Sequence, residues 1–314
     1  MKKPINTSHI EGLVYDHTLQ VKVSGPKSKN PGVTFINGEL KVATDKAKTN
    51  IVSVFFTYVT ATNKNGGANN NYAVLEKLIN SDKGFINTGA EATYVRIDSA
   101  IGLNEWYRDD NNLVSTKRNE GGFIHIINPN EMDENEDKRS SFTTDMLITG
   151  TQFIEADVEK KTPDKMIVRG YIFNFRNEFL PVEYAIYRPD GIRYFEMLEC
   201  SPMTPVFTKV EGFQKSTVVR TEIREEAAFG DAFVRIKEST NKDFVISRVL
   251  SEPYPWDDEN TITATEVKEG LANREIALAT LKQQQAERAK TKNDSPVAAA
   301  AKVTTAPKND GYNF

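Results

Sequence analysis

The stretch that decides the fold is Phe35-Ile36-Asn37-Gly38-Glu39-Leu40-Lys41-Val42. Apolar and polar residues alternate along most of it, which is typical of a strand with one buried face. A glycine inside such a strand, here Gly38, usually marks a bulge or the tight bend at the corner of a small barrel. The following segment, residues 51–59, is β-branched and aromatic almost throughout, as strands prefer. The sequence therefore predicts a mainly β protein.

A unit of strand and glycine occurs twice in the chain. Ile10-Glu11-Gly12 is matched by Ile148-Thr149-Gly150, and Ile36-Asn37-Gly38 is matched by Val168-Arg169-Gly170. The two pairs of glycines are separated by similar lengths of chain. Two such units favour two small Greek-key barrels, of which the OB fold is the commonest kind.

The chain is predicted to consist of five parts. They are a first OB-like domain (1–130), an acidic linker (131–140), a second OB-like domain (141–262), a C-terminal helix (263–290) and a disordered tail (291–314). The linker is placed at a cluster of five acidic residues, for which a solvated linker is preferred to a regulatory loop. The tail is low in complexity and offers little to bury.

Two helices are predicted from apolar residues at helical spacing. A short one covers residues 72–79. The second begins at a capping box, in which Thr263 and Glu266 have the required spacing. Its apolar stripe is Val267, Leu271, Leu278 and Leu281. An isolated helix of this length is marginal in water, so the stripe must be buried, and packing within the chain is preferred to pairing with another subunit.

Composition excludes several classes of function. The 314 residues include one cysteine, Cys200, and three histidines, which excludes a disulfide framework and disfavours a metal site. No nucleophile elbow, phosphate loop or zinc-protease motif is present. We therefore expect neither catalysis nor a cofactor.

The same composition bears on location and partners. No apolar run reaches the ~18 residues of a membrane span, and the first residues lack the apolar region of a signal peptide. A soluble protein without a membrane partner is expected. The formal net charge is −4, from 40 Lys and Arg against 44 Asp and Glu. Any electropositive surface must therefore be local.

Basic residues are concentrated near the beginning of the chain. Residues 1–64 contain nine lysines against four acidic residues. Three of these lysines lie at or in the loop between the first two strands, where OB folds hold oligonucleotides. Such a concentration favours a groove that follows a phosphate backbone, although scattered surface lysines are an equal alternative for each residue. The candidates are Lys22, Lys27, Lys29, Lys41 and Lys64, with a second basic spot at Lys117 and Arg118.

Aromatic residues are interleaved with these charges. Tyr171, Phe173 and Phe175 alternate along a predicted strand, between Arg169 and Arg176. Tyr58, Trp106 and Tyr107 are comparable in the first block. Aromatic platforms combined with cations are how single-stranded nucleic acids are held. For any one ring, packing in the core is the competing interpretation. The rings included in the predicted site are Tyr58, Trp106, Tyr107, Phe173 and Phe175, and the cations added to it are Arg169 and Arg176.

A set of strings is spread over most of the chain, at residues 10–15, 36–45, 50–59, 115–123, 144–150, 170–177, 180–184 and 205–210. These strings resemble the single-stranded DNA-binding proteins of tailed phages that infect Gram-positive bacteria. The resemblance implies tandem OB-type barrels, single-stranded DNA as a partner, and a role in phage replication or recombination in the cytoplasm of the infected host.

The end of the chain offers a separate indication. Bacterial single-stranded DNA-binding proteins carry a linker that ends in an acidic tip with a terminal Phe, which recruits partners. Here the chain ends Asp310-Gly311-Tyr312-Asn313-Phe314, with one acidic residue in the tip. Tyr312 and Phe314 are therefore candidates for binding phage or host replication proteins.

Three classes of function compete on the sequence alone. The leading one is sequence-independent, non-catalytic binding of single-stranded DNA. The second is a virion or assembly protein made of β-barrel modules whose C-terminal helix mediates oligomerisation. The third is an enzyme with an unrecognised site. Salt-dependent binding of oligonucleotides separates the first class from the others.

Overall fold

A computed structural model of the chain describes residues 3–81, 84–109, 112–157, 162–225, 229, 233–256 and 261–293. The described part is mainly β, with eleven strands joined in one sheet and four α-helices. Within it, no helix has the length and apolar character needed to cross a membrane. The mainly β class predicted from the sequence is confirmed.

The first barrel is formed by five strands in residues 6–127. Antiparallel pairing joins β4 to β3, β3 to β1, β1 to β5 and β5 to β6. Parallel pairing of β4 with β6 closes the ring. Helix α1 lies between β4 and β5, as in an OB fold. A short strand β2 extends β3 outward. The bounds are β1 (Asn6–His17), β2 (Gln20–Val23), β3 (Thr34–Ala43), β4 (Ile51–Thr60), α1 (Asn70–Ser81), α2 (Phe85–Thr88), β5 (Tyr94–Tyr107) and β6 (Leu113–Ile127).

The second barrel repeats this arrangement. Strand β7 pairs antiparallel with β8 and β10, β8 with β9, and β10 with β11, and β9 closes the ring on β11 in parallel. A helix again separates the third and fourth strands. The predicted tandem of OB-like barrels is thus present in the strand order. The bounds are β7 (Ser141–Ile154), β8 (Lys165–Phe173), β9 (Phe179–Ile186), α3 (Pro189–Glu196), β10 (Val206–Glu225) and β11 (Phe233–Val249).

The repeat predicted from the glycines is real in topology but shifted in register. Each first strand carries a bulge against its partner, at Tyr15 in β1 and at Thr149 in β7. Aligning the bulges places Gly150 at the position of Asp16 and Gly170 at the position of Val42. The predicted correspondence of Gly12 with Gly150 is therefore wrong by a few residues. The feature that the two barrels share is the bulge and not the glycine.

Each barrel has its own apolar core. Alternation along β3 turns Ile36, Leu40 and Val42 inward, where they meet β1, β4, β5 and helix α1. The core of the second barrel also receives Ile101 and Leu103 from β5 of the first. Full burial of a side chain such as Ile101 contributes roughly 1.5–3 kcal/mol. The apolar half of β5 thus helps to hold the two barrels together.

The segment between the barrels is packed against the first one. Arg139 is buried, and its Nε donates to the carbonyl oxygen of Asp133 at 2.6 Å. A carboxylate oxygen of Glu136 accepts the backbone N–H of Lys46 at 2.9 Å. This acidic segment is therefore not a freely solvated loop. The chain passes from β6 to β7 here, and the domain limits proposed around it stay a prediction.

Helix α4 (Ala264–Asn293) begins at the predicted capping box. The N–H of Thr263 donates to Oε2 of Glu266 at 2.9 Å, and the N–H of Glu266 donates to Oγ1 of Thr263 at 3.2 Å. Val267 and Leu271 pack against a cluster in the second barrel. Arg274 forms an ion pair with Glu105 of β5, and both side chains are largely buried. The helix therefore packs within the chain, across both barrels.

Candidate nucleic-acid interface

The outer surface of β2, β3 and β4 brings predicted residues together. Alternation turns Phe35 outward, and its ring lies 4.5 Å from that of Tyr58, which is 47% exposed. Nζ of Lys22 donates to Oδ1 of Asn37 at 3.0 Å on the same surface. Phe55, which lies three residues before Tyr58 on β4, completes this surface. We call the group Lys22, Phe35, Asn37, Phe55 and Tyr58 the β4 face.

Three predicted lysines lie at one end of the β4 face. Lys27 and Lys29 are exposed in the turn between β2 and β3, and Lys64 is exposed in the turn after β4. Phe35 at the start of β3 pairs with Thr60 at the end of β4, so the two turns lie at the same end of the sheet. This end is therefore a cluster of exposed cations beside two aromatic rings.

Lys41 lies further along β3 and is already paired. Its Nζ is 3.2 Å from a carboxylate oxygen of Asp16. Its cross-strand neighbour on β4 is Ser53. Lys41 stays a predicted DNA contact, and its charge is partly neutralised within the chain.

The other end of the β4 face leads into a cleft between the barrels. The cleft has a volume of about 460 Å³ and is formed by β4, β5 and β6 of the first barrel and by β10 and β11 of the second. Its described lining has four cationic side chains against one carboxylate, that of Asp243. The cations are Lys117, Arg118, Lys215 and Lys242. We call this space the inter-barrel cleft.

Two of these cations, Lys215 and Lys242, were missed by the sequence analysis. They lie on β10 and β11, one register position apart in the ladder. Nζ of Lys242 donates to Oγ of Ser53 on β4 at 3.0 Å. Because only the docking of one barrel on the other brings them beside Arg118, no local pattern in the sequence could have identified them.

A buried polar network forms the floor of the cleft. Nδ2 of Asn119 donates to Oε1 of Gln214 at 2.8 Å, and Nε2 of Gln214 donates to Oγ of Ser8 at 2.9 Å. Nδ2 of Asn50 donates to the carbonyl oxygen of Gln214 at 2.9 Å. Buried polar groups that satisfy one another fix a single arrangement. The network therefore fixes how β10 sits on the first barrel.

Lys117 joins the two barrels. Its ammonium donates to the carbonyl oxygen of Glu183 and lies 5.6 Å and 5.1 Å from the ring centroids of Tyr184 and Phe244. Desolvation lowers the pKa of Lys117 to about 8, against the opposing effect of Asp243 and Glu183. Its role as a DNA contact stays a prediction, and its ammonium is already engaged at the junction.

This depressed pKa predicts a pH dependence of stability. Below pH 8 the lysine is charged in both the folded and the unfolded chain, and the folded state bears the desolvation cost. Between about pH 8 and the ordinary value of 10.5 the unfolded chain holds the proton and the folded chain does not, so stability rises with pH. We expect Lys117→Met to remove this rise. Between pH 7 and pH 10, the melting temperature of the wild type should therefore rise relative to that of the variant as pH increases. A constant difference would contradict the prediction.

One aromatic residue of the predicted site, Phe173, does not lie on the surface. Phe173 is completely buried, with its ring edge-on to Phe179 at 4.8 Å and to Phe207 at 5.9 Å. Strand β8 ends at Phe173, so the alternation assumed to continue to Phe175 stops there. Phe173 belongs to the core and cannot stack on a base.

The neighbouring predicted residues are on the surface. Phe175 is 74% exposed in the turn after β8, and the guanidinium of Arg176 lies 5.0 Å from its ring centroid. Arg169 forms an ion pair with Glu183 at 2.6 Å. These residues lie on the second barrel and are not part of the β4 face.

The remaining predicted residues are near helix α4 or beyond the described chain. Trp106 and Tyr107 are half-buried at the end of β5, and the N–H of Tyr107 donates to Oε1 of Gln285 in α4 at 2.8 Å. Nζ of Lys282 lies 5.8 Å from the ring centroid of Tyr107. Of the tail predicted to be disordered, residues 291–314, the first three residues belong to helix α4. The rest of it, with Tyr312 and Phe314, lies outside the described residues.

Comparison with known proteins gives a family. The model of the YorF family matches residues 5–284, and the chain therefore belongs to that family. No curated protein matches the sequence. Among solved structures, a deletion mutant of the single-stranded DNA-binding protein from Thermus aquaticus is similar, with 11% identical residues and a TM-score of 0.45. That match covers 82% of this chain and 100% of the other. The barrels described above are defined by the strand pairings of this chain.

Proposed function

We propose that this protein binds single-stranded DNA without sequence preference and without catalysis. The observation that carries the proposal is the surface formed by the β4 face and the inter-barrel cleft. Exposed lysines lie at one end, aromatic rings lie in the middle, and four cationic side chains line the other end. A single strand is held by this combination, because cations follow its backbone and rings stack on any base.

The dimensions of the surface suit an extended strand. Ser53 in the cleft and Tyr58 on the β4 face are five residues apart on β4, which is ~17 Å along a strand. Phe55 lies between them, and the guanidinium of Arg118 is 5.8 Å from its ring centroid. Rings and cations therefore alternate over a length that several nucleotides would occupy.

The biological setting is a further part of the proposal. Resemblance to the single-stranded DNA-binding proteins of tailed phages supports a role in phage replication or recombination, in the cytoplasm of the infected bacterium. In this setting Tyr312 and Phe314 would recruit phage or host replication proteins. The alternative of a virion or assembly protein needs a helix free to pair with other subunits. Packing of Val267 and Leu271 within the chain argues against it.

The test is titration of the full-length protein with oligo-dT at several salt concentrations. If four phosphates are neutralised, the logarithm of affinity should fall with the logarithm of salt at a slope of about −3. Duplex DNA of the same length should bind more weakly, because its bases are not free to stack. A flat salt response, or equal affinity for duplex, would contradict the proposal.

A matched pair of variants locates the site. Lys27→Glu with Lys29→Glu should weaken binding and lower the salt slope, since two exposed cations become anions beside the β4 face. Lys77→Glu with Lys268→Glu makes the same change in charge at exposed positions on helices α1 and α4. The second pair should change the affinity much less. Equal losses of affinity in the two double variants would mean that the net charge of the protein, and not the position of the lysines, determines binding.

A further inference from the structure

The surroundings of Arg118 hold its guanidinium in one place. Its side chain is 23% exposed, and Nη2 lies 3.2 Å from Oε1 of Glu120. The guanidinium also lies over the ring of Phe55. A planar group held by a carboxylate on one side and a ring on the other is positioned before any ligand arrives.

One donor of this guanidinium has no partner. Nε of Arg118 is buried and makes no hydrogen bond to any described residue. Native structures rarely leave a donor of a charged group unsatisfied without a functional reason. Because Nε itself is buried, the donors open to a ligand in the cleft are the Nη groups of the same guanidinium, whose side chain is 23% exposed.

The chemistry of the cleft indicates which kind of ligand fits beside this guanidinium. Lys215 and Lys242 are exposed cations in the same lining, and the hydroxyl side chains of Ser115 and Thr116 lie at its edge. The one carboxylate in the described lining, Asp243, accepts the hydroxyl of Tyr187 at 2.6 Å. A cleft with this balance favours an anion with several acceptor oxygens, which is the chemistry of a phosphate group.

We propose that the inter-barrel cleft holds a discrete phosphate site in which the Nη groups of Arg118 donate to two oxygens of one phosphate. The inference rests on the proposed function for the source of that phosphate, a phosphodiester of the bound strand. The base attached to it would lie toward Phe55. Free inorganic pyrophosphate offers the same oxygens and serves as a probe of the site alone.

The test compares Arg118→Lys with wild type. Lysine keeps the charge but loses the two parallel donors, so affinity should fall while the salt slope stays the same. We expect affinity for oligo-dT to fall about 10-fold or more, since hydrogen bonds to charged groups contribute roughly 1.5–3 kcal/mol. Calorimetry with pyrophosphate at constant ionic strength should show the same loss. The control is Arg188→Lys, at an exposed arginine on the second barrel that pairs with Asp190.

A second variant guards against a folding defect in Arg118→Lys. Ser115 is exposed at the edge of the cleft, so Ser115→Asp should fold and should repel an anion. Both oligo-dT and pyrophosphate should then bind more weakly. Unchanged pyrophosphate binding in Arg118→Lys and in Ser115→Asp would overturn the phosphate site.

The outcomes separate this inference from the proposed function. If oligo-dT binds with the expected salt slope but both variants behave as wild type, the phosphate site is wrong and the proposed function stands. If pyrophosphate binds and depends on Arg118 while oligo-dT does not bind, the site stands and the proposed function is wrong.

Discussion

Replacing Phe55 and Tyr58 together by alanine should weaken binding of oligo-dT about 30-fold or more. Stacking of a base on an aromatic side chain is worth ~1–3 kcal/mol, so two rings at the lower limit account for ~2 kcal/mol, or about 30-fold in the dissociation constant. Both rings are on the outer surface of β4, while Val54 and Phe56, on either side of Phe55, face the core. Fluorescence or calorimetric titration measures the change, and the salt slope should be unchanged because no charge is removed.

The matched control for this variant is Phe123→Ala with Ile126→Ala. Both side chains are exposed apolar groups on β6, where Phe123 pairs with Asp98 of β5 and not with β4. This control removes a similar apolar area from the surface of the same barrel. It should leave the affinity for oligo-dT close to that of wild type. An equal loss in both double variants would show that the β4 face is not the stacking surface.

The architecture could be predicted because the relevant signals are local. Alternation along residues 35–42 and the β-branched run at 51–59 define two strands without any knowledge of their partners. The capping box at Thr263 and Glu266 defines the start of α4 in the same way. Strand length, turn chemistry and capping depend on neighbours in sequence, and here they agree with the structure.

The register of the repeat could not be predicted from the same signals. Its shared feature is a bulge at Tyr15 and at Thr149, and neither residue type marks a bulge. Glycine is the more visible signal in a sequence, since glycines are frequent where strands bend. Gly12 and Gly150 are at different points of the two barrels, however. A Cβ atom at Gly12 would lie 2.1 Å from the carbonyl oxygen of Ala43, whereas one at Gly150 would have no atom within 4 Å.

The candidate site was only partly predictable for a physical reason. The β4 face lies within one barrel, so Lys22 and Tyr58 could be selected from strand patterns. The inter-barrel cleft arises from docking, which brings Lys215 and Lys242 to Arg118 from more than ninety residues away along the chain. Alternation also cannot tell which face of a strand is covered, and Phe173 was assigned to the surface for that reason.

Replacing Gly170 by alanine should strongly destabilise the second barrel. A Cβ atom at Gly170 would lie 2.1 Å from the carbonyl oxygen of Leu147 and 2.9 Å from its carbonyl carbon, which are backbone atoms of the neighbouring strand β7. No rotamer change can relieve this clash, so β7 and β8 must move apart beside the bulge at Thr149. Overpacking costs about 1–3 kcal/mol and occasionally more, and a backbone clash falls at the upper end. At roughly 2–4 °C per kcal/mol, the melting temperature should fall by about 6–12 °C.

Gly150→Ala is the control for this variant, because it makes the same chemical change twenty residues away in the paired strand. A Cβ atom at Gly150 would have no atom within 4 Å. Alanine there should leave the melting temperature unchanged or raise it slightly, since it restricts the unfolded chain. Thermal denaturation followed by circular dichroism compares the two variants directly. If Gly170→Ala melts at the temperature of Gly150→Ala, the close approach of β7 and β8 is not what requires glycine at position 170. A large difference would show that this approach sets how tightly the first two strands of the second barrel pair.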